Sequence, residues 1–572
     1  MLYSSLCLAY VGLAGFVHEA AAKDWEGQPY HWLFTQELPI PEVKKATRQV
    51  TNPVTEKPIN YYEIDIKAFE KSIYPGQKST HMVGYDGMSP GPTFIVERGE
   101  ESVVRFTNKA ENDSAIHLHG SYSRSPWDGW AEDVISEGEY KDYYWPNSQS
   151  ARVSWYHDHA MNHTAHNVYF GQAGIYIVHD KEEDKLNLPS GYGKFDIPLL
   201  LEAKQYGEDG ALLSPGTKHD SLYGDVIHVN GQPWPYMHVE PRKYRFRLLN
   251  AAVSRSFILY LRDAAGANVT FQAIAGDAGL FPAPVSTPFL GLSMAERYDI
   301  VVDFSPYINQ NLTLRNREGV GSDDDYKETV NVIRFIVGEK CEEEDKSVVP
   351  ASLVPAQVLP KSSGELAHQF KFARTNNTWT INGIGFSDAN HRVLAKVPRG
   401  TVEIWELENK SGGWTHPVHV HLVDFKVISR TGGRNRGVLP YEAAGLKDVV
   451  WLDANETVRV EAWYAPWDGL YMFHCHNLVH EDNEMMAAFN VTRLPDMGYE
   501  ETSFLDPMEE RWRAVPAAEG DYSVQAVTDK IEMMANLKPY SNVKVVEEKL
   551  KEYWVKHGKP SARRGLGWFG GN

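Results

Sequence analysis

The feature that most constrains the fold of this chain is a set of four histidine-rich clusters that lie far apart in the sequence. The last cluster contains His474, Cys475 and His476 in succession, with His480 and Met485 close behind. A cysteine, two histidines and a weak thioether form the ligand set of a mononuclear electron-transfer copper. Because side chains alternate faces along a strand, Cys475 can face one metal ion while its two neighbours face another. The sequence therefore predicts two metal sites that are joined by covalent bonds alone.

The other three clusters supply the ligands of the second site. Each contains two histidines spaced two residues apart, which places both on one face of a strand. His416 lies an odd number of residues from its neighbours, so it can point elsewhere and join Cys475 and His480. With His474 and His476, the three pairs make eight imidazoles, enough for three copper ions with two, three and three ligands. The three pairs are His117 and His119, His157 and His159, and His419 and His421.

Chance does not account for this pattern. A single pair at this spacing is more often a coincidence or a solvated strand face than a metal site. With 22 histidines in 572 residues, random placement gives about one such pair in the whole chain. Four pairs, one of which encloses a cysteine, point instead to copper.

The four motifs, in this order and at these distances, resemble those of the multicopper oxidases. The likeness extends through much of residues 60 to 510 and is closest to the fungal bilirubin oxidases. It is carried by Y-D-G-M-S-P-G-P-T-F at 85–94, W-D-G-W-A-E-D at 127–133, V-N-G-Q-P-W-P at 229–235, Y-R-F-R-L-L-N-A-A at 244–252, W-T-H-P-V-H-V-H at 414–421 and H-C-H-N-L-V-H-E-D-N at 474–483.

The resemblance implies four copper ions with a definite ligand set. The type 1 copper would be held by His416, Cys475 and His480, with Met485 as the long axial ligand. No ligand of the family pattern is missing. The type 2 copper would be held by His117 and His419, one type 3 copper by His119, His157 and His476, and the other by His159, His421 and His474.

The resemblance also implies roles for three further residues. Asp128, in W-D-G-W, is expected to relay protons near the three-copper site, and Glu481, beside His480, to assist it. Trp414 is similar to the tryptophan that bilirubin oxidases place beside the type 1 site. Solvated carboxylates and an ordinary packing role for the tryptophan are the alternatives.

The expected activity is one-electron oxidation of an organic donor coupled to four-electron reduction of O2 to water. Bilirubin or a related tetrapyrrole and phenols remain alternative donors, and the natural role could be oxidative coupling of aromatic pigment or secondary-metabolite precursors. Glu481, Asp482 and Glu484 keep open a ferroxidase-type oxidase of metal ions. A blue-copper electron-transfer protein without oxidase activity would leave eight histidines unexplained.

The chain reads as short strands between Gly, Pro and Asn turns, with a weak internal repeat. A D-G or N-G turn near 85, 229 and 381 leads each time to a basic turn and a strand, although the middle copy lacks paired histidines. Together with the resemblance, this predicts an all-β protein of three cupredoxin-like Greek-key β-barrels with a partly helical C-terminal extension. The expected segments are a signal peptide 1–22, an N-terminal extension 23–55, domains 56–185, 186–345 and 371–496, a linker 346–370 and the C-terminal extension 497–572.

The remaining features concern the setting of the protein. An apolar run from Leu6 to Phe16, followed by three alanines, is typical of a secretory signal, although no basic residue precedes it. The net charge of −19 argues against a nucleic-acid or anionic-membrane partner. We expect a secreted, glycosylated monomer that meets only a small organic reductant and O2. Its eight N-x-Ser/Thr sequons begin at Asn112, Asn162, Asn268, Asn311, Asn376, Asn409, Asn455 and Asn490.

Overall fold

The computed structural model describes residues 24–217, 220–320, 323–495, 497 and 501–558. The predicted signal peptide lies outside the described residues. Strands dominate, and they form six sheets that occur as two sheets in each of three successive parts of the chain. The all-β prediction is therefore confirmed.

The first part contains a six-stranded and a four-stranded sheet. Every residue of the strand E-S-V-V-R-F-T-N (101–108) is buried, because the sheet is covered on both faces. The elements are β1 Arg48–Thr51, β2 Pro58–Lys71, β3 Thr80–Tyr85, β4 Gly91–Glu97, β5 Glu101–Asn108, β6 Ile116–His119, β7 Glu139–Trp145, β8 Arg152–Asp158, α1 Thr164–Phe170, β9 Ala173–His179 and α2 Lys181–Asp184.

The middle part contains a seven-stranded and a six-stranded sheet. Its strands are rich in β-branched and aromatic residues, as in V-I-R-F-I-V. They are β10 Asp196–Lys204, β11 Val226–Val229, β12 Gln232–Pro233, β13 Tyr236–Val239, β14 Lys243–Asn250, β15 Phe257–Arg262, β16 Asn268–Val269, β17 Phe271–Gly276, β18 Gly279–Thr287, β19 Leu290–Leu292, β20 Arg297–Asp303, β21 Asn311–Asn316 and β22 Asn331–Val337.

The third part contains two five-stranded sheets. Its first strand begins at Leu366, inside the segment that the sequence suggested as a linker. The elements are β23 Leu366–Thr375, β24 Thr378–Ile381, β25 Val393–Pro398, β26 Val402–Asn409, β27 His416–Val420, β28 Phe425–Gly432, α3 Pro440–Ala443, β29 Val449–Leu452, β30 Glu456–Trp463, β31 Gly469–Cys475, α4 Leu478–Asp482 and β32 Met486–Thr492.

The same order of pairing recurs in all three parts. In one sheet, two parallel strands are followed by an antiparallel one: β2-β5-β7, β10-β14-β20 and β23-β26-β30. In the other sheet, the orders are β4-β9-β8-β6, β13-β22-β21-β15 and β25-β32-β31-β27. Parallel neighbours that are distant in sequence require long crossover connections, as in Greek-key barrels.

The C-terminal extension is partly helical, as predicted from its periodicity. After the short strand β33 (Val515–Pro516), which pairs with β7, it forms α5 (Val524–Asn536) and α6 (Val543–His557). Val527, Ile531 and Met534 of α5 are buried at helical spacing in a core shared with the first and third parts. Within the described residues, no helix is both long and apolar enough to span a membrane.

Candidate metal centre

Two pairs of neighbouring strands bring the four histidine clusters together. In one sheet of the first part, β6 and β8 run antiparallel with His117 opposite His157. In one sheet of the third part, β27 and β31 run antiparallel with His419 opposite His474. The ends of these two strand pairs meet, because the rings of His117 and His419 lie 5.5 Å apart between centroids. The cluster therefore forms between the first and third parts of the chain.

Histidine and cysteine side chains alone form four compact groups of three. Within each group, one potential ligand atom per residue lies within 4.8 Å of the others, and every member is buried. The groups are His117, His119 and His419; His119, His157 and His476; His159, His421 and His474; and His416, Cys475 and His480.

Each of five histidines in the eight-histidine cluster has its Nδ1 within bonding reach of a protein oxygen. The Nδ1 of His117 lies 2.6 Å from the carbonyl of Asp128, and that of His419 lies 2.8 Å from the carbonyl of Asp448. The Nδ1 atoms of His157, His421 and His474 also have oxygen partners. Such contacts fix the ring and leave Nε2 free to bind a metal.

Among the described residues, the inward ring nitrogens have no hydrogen-bond partners except one another. The Nε2 of His474 approaches the Nε2 atoms of His159 and His421 at 3.2 and 3.3 Å. The Nε2 atoms of His157 and His476 are buried without a hydrogen-bond partner. Buried nitrogens that face only each other are accounted for by cations between them.

The protonation of these histidines also suits metal binding. Burial, assisted by the neighbouring imidazoles, lowers the pKa of His117, His419 and His476 well below the usual value. Burial lowers the pKa of His159 to about 4. The rings are therefore neutral at ordinary pH, and their lone pairs are available to copper.

The fourth group is a triangle of two nitrogens and one sulfur. The Sγ of Cys475 lies 3.3 Å from Nδ1 of His416 and 3.7 Å from Nδ1 of His480, and the two nitrogens lie 3.1 Å apart. A trigonal ion with bonds of about 2.0–2.3 Å requires separations of about 3.5 Å. Met485 is buried beside the triangle, with its backbone bonded to His480 and Cys475. The donor set fits a blue-copper ion.

Local contacts hold the triangle from outside. Ser411 Oγ lies 2.8 Å from Nε2 of His416, and the backbone N–H of Asn477 donates to the sulfur of Cys475 at 3.4 Å. Burial raises the pKa of the Cys475 thiol well above its usual value. Copper must therefore displace the thiol proton when it binds.

The side of the triangle nearest the surface is aromatic. Trp379, which is fully buried, lies 3.9 Å from His480 between ring centroids, with an angle of 31° between the planes. Trp414 is half-buried and meets Trp379 edge to face at 5.7 Å. Outside them, Arg374 lies over Trp379 and pairs with Asp220 at 2.7 Å. The predicted tryptophan is thus one of two beside this site.

Both predicted relay carboxylates lie against the eight-histidine cluster. Oδ2 of Asp128 lies 2.8 Å from Nδ1 of His421, and burial raises the pKa of this carboxyl well above its usual range. Oε2 of Glu481 lies 2.9 Å from Nδ1 of His474 and Oε1 lies 3.8 Å from Nε2 of His159. Burial alone would raise the pKa of Glu481, but these imidazoles outweigh it and lower the pKa to about 2.

Sequence reasoning missed several residues at this centre, among them Trp379, Asp448 and Arg297. Trp379 stacks on a ligand histidine from a different strand, and Asp448 bonds both to His119 and to Arg297 of the middle part. Asp448 is preceded by a lysine and followed by valines, which carry no local signal of a role at a metal. Only the meeting of distant strands reveals these contacts.

Comparison with known proteins places this centre in a family. Sequence profiles of the multicopper oxidases match residues 68–183 and 360–494. A bilirubin oxidase from Albifimbria verrucaria is 56% identical over 529 residues, which cover 90% of this chain and 92% of that protein. The chain belongs to the multicopper oxidases. It uses four copper ions, one of type 1, one of type 2 and two of type 3, to oxidise organic substrates with O2.

More distant relatives share the whole architecture. A laccase from Bacillus subtilis strain 168 is 32% identical over 80% of this chain and 98% of its own. The crystal structure of the McoA multicopper oxidase from Aquifex aeolicus is 28% identical, covers 80% of this chain and 99% of that chain, and superposes with a TM-score of 0.71. A laccase structure from Pediococcus acidilactici gives 28% identity and a TM-score of 0.72 over 83% of this chain and 97% of that chain. These relatives support the three-barrel cupredoxin fold.

Proposed function

We propose that this enzyme oxidises bilirubin-like tetrapyrroles or phenols at the Cys475 triangle and reduces O2 at the eight-histidine cluster. The single observation that carries the proposal is the position of Cys475. Its sulfur belongs to one ligand group, whereas its chain neighbours His474 and His476 belong to two others. When bound, one copper accepts single electrons from the donor and the other three reduce O2.

The ligand roles follow the groups of the structure together with the family pattern. His416, Cys475 and His480 would hold the type 1 copper, with Met485 as a further, weaker ligand. His117 and His419 hold the type 2 copper. The type 3 coppers are held by His119, His157 and His476, and by His159, His421 and His474.

The backbone around Cys475 connects the two sites. An electron that enters at the triangle passes through Cys475 to His474 or His476 along covalent bonds. Four electrons and four protons convert one O2 into two waters. A site that accepts single electrons and delivers four together avoids release of partly reduced oxygen.

Asp128 supplies the protons, with help from Glu481. Each is buried, and each places a carboxylate oxygen within 3 Å of an imidazole nitrogen of the cluster. They lie beside different rings, Asp128 beside His421 and Glu481 beside His474. General acid catalysis requires a protonated donor close to the reacting group. Burial raises the pKa of Asp128 and keeps it protonated, whereas Glu481, whose pKa is lowered to about 2, is ionised and assists by accepting a proton and passing it on.

An aromatic donor fits the outer side of the triangle. Trp379 and Trp414 offer flat π-surfaces in contact with His480, and the bilirubin oxidase relative is named for a tetrapyrrole substrate. The carboxylates that suggested a metal-ion substrate all have partners within the protein. Glu481 faces the histidine cluster, Asp482 accepts the backbone N–H groups of residues 164 and 165, and Glu484 accepts that of residue 387. These contacts favour an organic donor over a metal ion.

Oxygen uptake by the copper-loaded enzyme, with bilirubin and a simple phenol as parallel donors, tests this function. We expect four donor electrons per O2, no peroxide, and no uptake by Cys475→Ser. The matched control is Cys341→Ser, because Cys341 lies outside both sites and is half-buried. Uptake that survives Cys475→Ser, or blue protein that consumes no O2 with either donor, would overturn the proposal.

We also propose that the protein is secreted as a glycosylated monomer of three repeated barrels. The sequon residues Asn162, Asn268, Asn311, Asn376 and Asn455 are exposed. Asn409 is fully buried and donates to the carbonyls of Trp414 and Asp453, so the folded protein offers no room for a glycan there. Peptide mass spectrometry of protein from a eukaryotic secretory host should find glycans at exposed sequons and none at Asn409. Absence of the protein from the medium would contradict secretion.

A further inference from the structure

An arginine of the middle part of the chain reaches the shell of groups around the copper ligands. We propose that Arg297, acting through Asp448, positions the ring of His119 for copper, so that the middle part helps to build the three-copper site. This inference rests on the proposed role of His119 as a type 3 ligand.

The ring of His119 makes its hydrogen bond to oxygen through a different nitrogen from the other oxygen-bonded rings of the eight-histidine cluster. Its Nε2 donates to Oδ1 of Asp448 at 3.1 Å, whereas the other rings with oxygen partners are bonded through Nδ1. Its Nδ1 is buried and has no hydrogen-bond partner in the part of the chain that the structure describes. A histidine whose one ring nitrogen is bonded to a carboxylate presents the other to the metal. Asp448 therefore selects which nitrogen of His119 can bind copper.

Asp448 serves a second ligand through its backbone. Its carbonyl accepts the Nδ1–H of His419 at 2.8 Å, while its side chain holds His119. The rings of His119 and His419 stack with centroids 3.7 Å apart and an interplanar angle of 16°. One residue thus fixes two stacked rings, and a displacement of Asp448 would disturb both.

Arg297 fixes Asp448 with two parallel bonds. Nη1 and Nη2 of Arg297 each lie 2.5 Å from one carboxylate oxygen of Asp448, and both side chains are fully buried. A bidentate pair restrains orientation as well as distance. Because Arg297 opens β20 in the middle part and Asp448 precedes β29 in the third, the pair crosses between two parts of the chain.

Further bonds hold Arg297 in place. Its Nε donates to the carbonyl of Val153 in β8 at 3.0 Å, and Nη2 donates to the carbonyl of Asp277 at 3.2 Å. Lys447, next to Asp448, pairs with Asp277 at 2.9 Å and with Glu296 at 3.0 Å. The side chain of Arg297 therefore bonds to residues in all three parts of the chain.

The backbone beside His119 leaves room only for this pair. Gly120 has a φ of +91°, and a Cβ there would lie 2.9 Å from Nη2 of Arg297 and 3.2 Å from Oδ2 of Asp448. A side chain at position 120 would be strained and would push the pair away from His119.

A second buried ion pair, which also joins two parts of the chain, serves as a control. It shows what the loss of such a pair does when the pair does not contact a copper ligand. Arg152 of β8 donates two bonds to Asp424 at 2.8 and 2.7 Å, and both side chains are buried. Asp424 also accepts a hydrogen bond from the hydroxyl of Tyr122, and within the described residues it bonds to no copper-ligand ring. The two pairs share chemistry and burial but differ in contact with a ligand.

The experiment compares Asp448→Asn with Asp424→Asn in the full-length, copper-loaded enzyme. An asparagine at 448 can accept from His119 only by turning its amide N–H groups towards Arg297, so it cannot serve both partners. For Asp448→Asn we expect type 2 and type 3 copper to be lost to a chelator at about 10–100-fold lower chelator concentration. We expect the type 1 copper and the blue absorption to remain. Copper content per protein and the electron paramagnetic resonance signals of the type 1 and type 2 ions are the readouts.

The outcomes separate this inference from the function on which it rests. Asp424→Asn should keep the wild-type copper content, and Arg297→Lys should show a weaker form of the Asp448→Asn defect. Three results would overturn the positioning role. Asp448→Asn could retain the ions of the three-copper site as well as the wild type does, or both Asn variants could lose them equally. The third such result is that neither Asp448→Asn nor Arg297→Lys yields blue protein. A wild-type enzyme without type 2 and type 3 copper would instead overturn the proposed function.

Discussion

At the scale of residues, the sequence singled out the histidines and the cysteine that the structure brings together, but not the groups that hold their rings. The i, i+2 spacing of the histidines predicts which side chains share a strand face, because side chains alternate between the two faces of a strand. The hydrogen-bond partners of the rings, such as the carbonyls of Asp128 and Asp448, depend on which loops meet the strands. Trp379 and Arg297 reach the site from distant strands, so no local pattern could assign them.

Asp128 offers a direct test of proton supply. We predict that Asp128→Asn lowers kcat for O2 reduction by about 100-fold, because an amide cannot deliver a proton to the cluster. Anaerobic bleaching of the blue absorption by the donor should keep its wild-type rate, since the triangle at Cys475 is unchanged. Steady-state and stopped-flow measurements on one preparation give both values. An unchanged kcat in a fully copper-loaded variant would refute the relay role.

At the scale of elements, the strands were the most predictable part. Runs such as T-F-I-V-E and F-K-V-I-S became β4 and β28, because alternating or β-branched residues fit a covered sheet. The helical periodicity after residue 520 became α5 and α6. The short helix α4, which carries His480 and Glu481, was not predicted, since five residues are too few to show a period.

Helix α3 provides a test of a buried ion network. Glu442 of α3 accepts from Arg430 at 2.7 Å and from Arg436 at 2.6 Å. Burial would raise its pKa, but the two arginines outweigh burial and lower the pKa to about 2. A carboxylate with a lowered pKa stabilises the fold above its unfolded pKa and loses that contribution as pH falls towards the folded value.

We therefore predict that Glu442→Gln destabilises the protein by about 3 kcal/mol at neutral pH. The difference in Tm from the wild type should narrow as pH falls from about 5 to about 3. Calorimetric scans across that range provide the measurement, with the exposed Glu318→Gln as a control that shifts Tm little at any pH. A Tm difference independent of pH would show that the charge of Glu442 is not the cause.

At the scale of the whole molecule, the internal turn pattern correctly suggested three successive barrels, but the bounds of the segments stay a prediction. The absence of paired histidines from the middle copy placed the copper ligands in the first and third parts, and the structure brings those ligands together. The middle part looked like a spacer from sequence, because the residues by which it contacts the centre, such as Arg297 and Ser221, belong to no histidine motif.

The C-terminal extension also acts across the molecule. Its Trp512 packs against Trp127, with the ring centroids 5.0 Å apart. Trp127 directly precedes Asp128 in the chain. Arg124 pairs with Asp468 of the third part at 3.3 Å and donates to the carbonyl of Pro539 in the extension. Periodicity predicted helices in the extension, but not that residues outside those helices would contact the loop that carries Asp128.

Counting the electrons that the anaerobic, copper-loaded enzyme accepts tests the central claim most directly. The claim is that Cys475 joins one copper to a cluster of three through His474 and His476. We predict that about four electron equivalents are needed to reduce wild-type protein fully and that the blue absorption follows the same titration. Cys475→Ser should keep the three other coppers and lose donor-driven reduction. Bleaching complete after one equivalent, with no further uptake, would contradict the account.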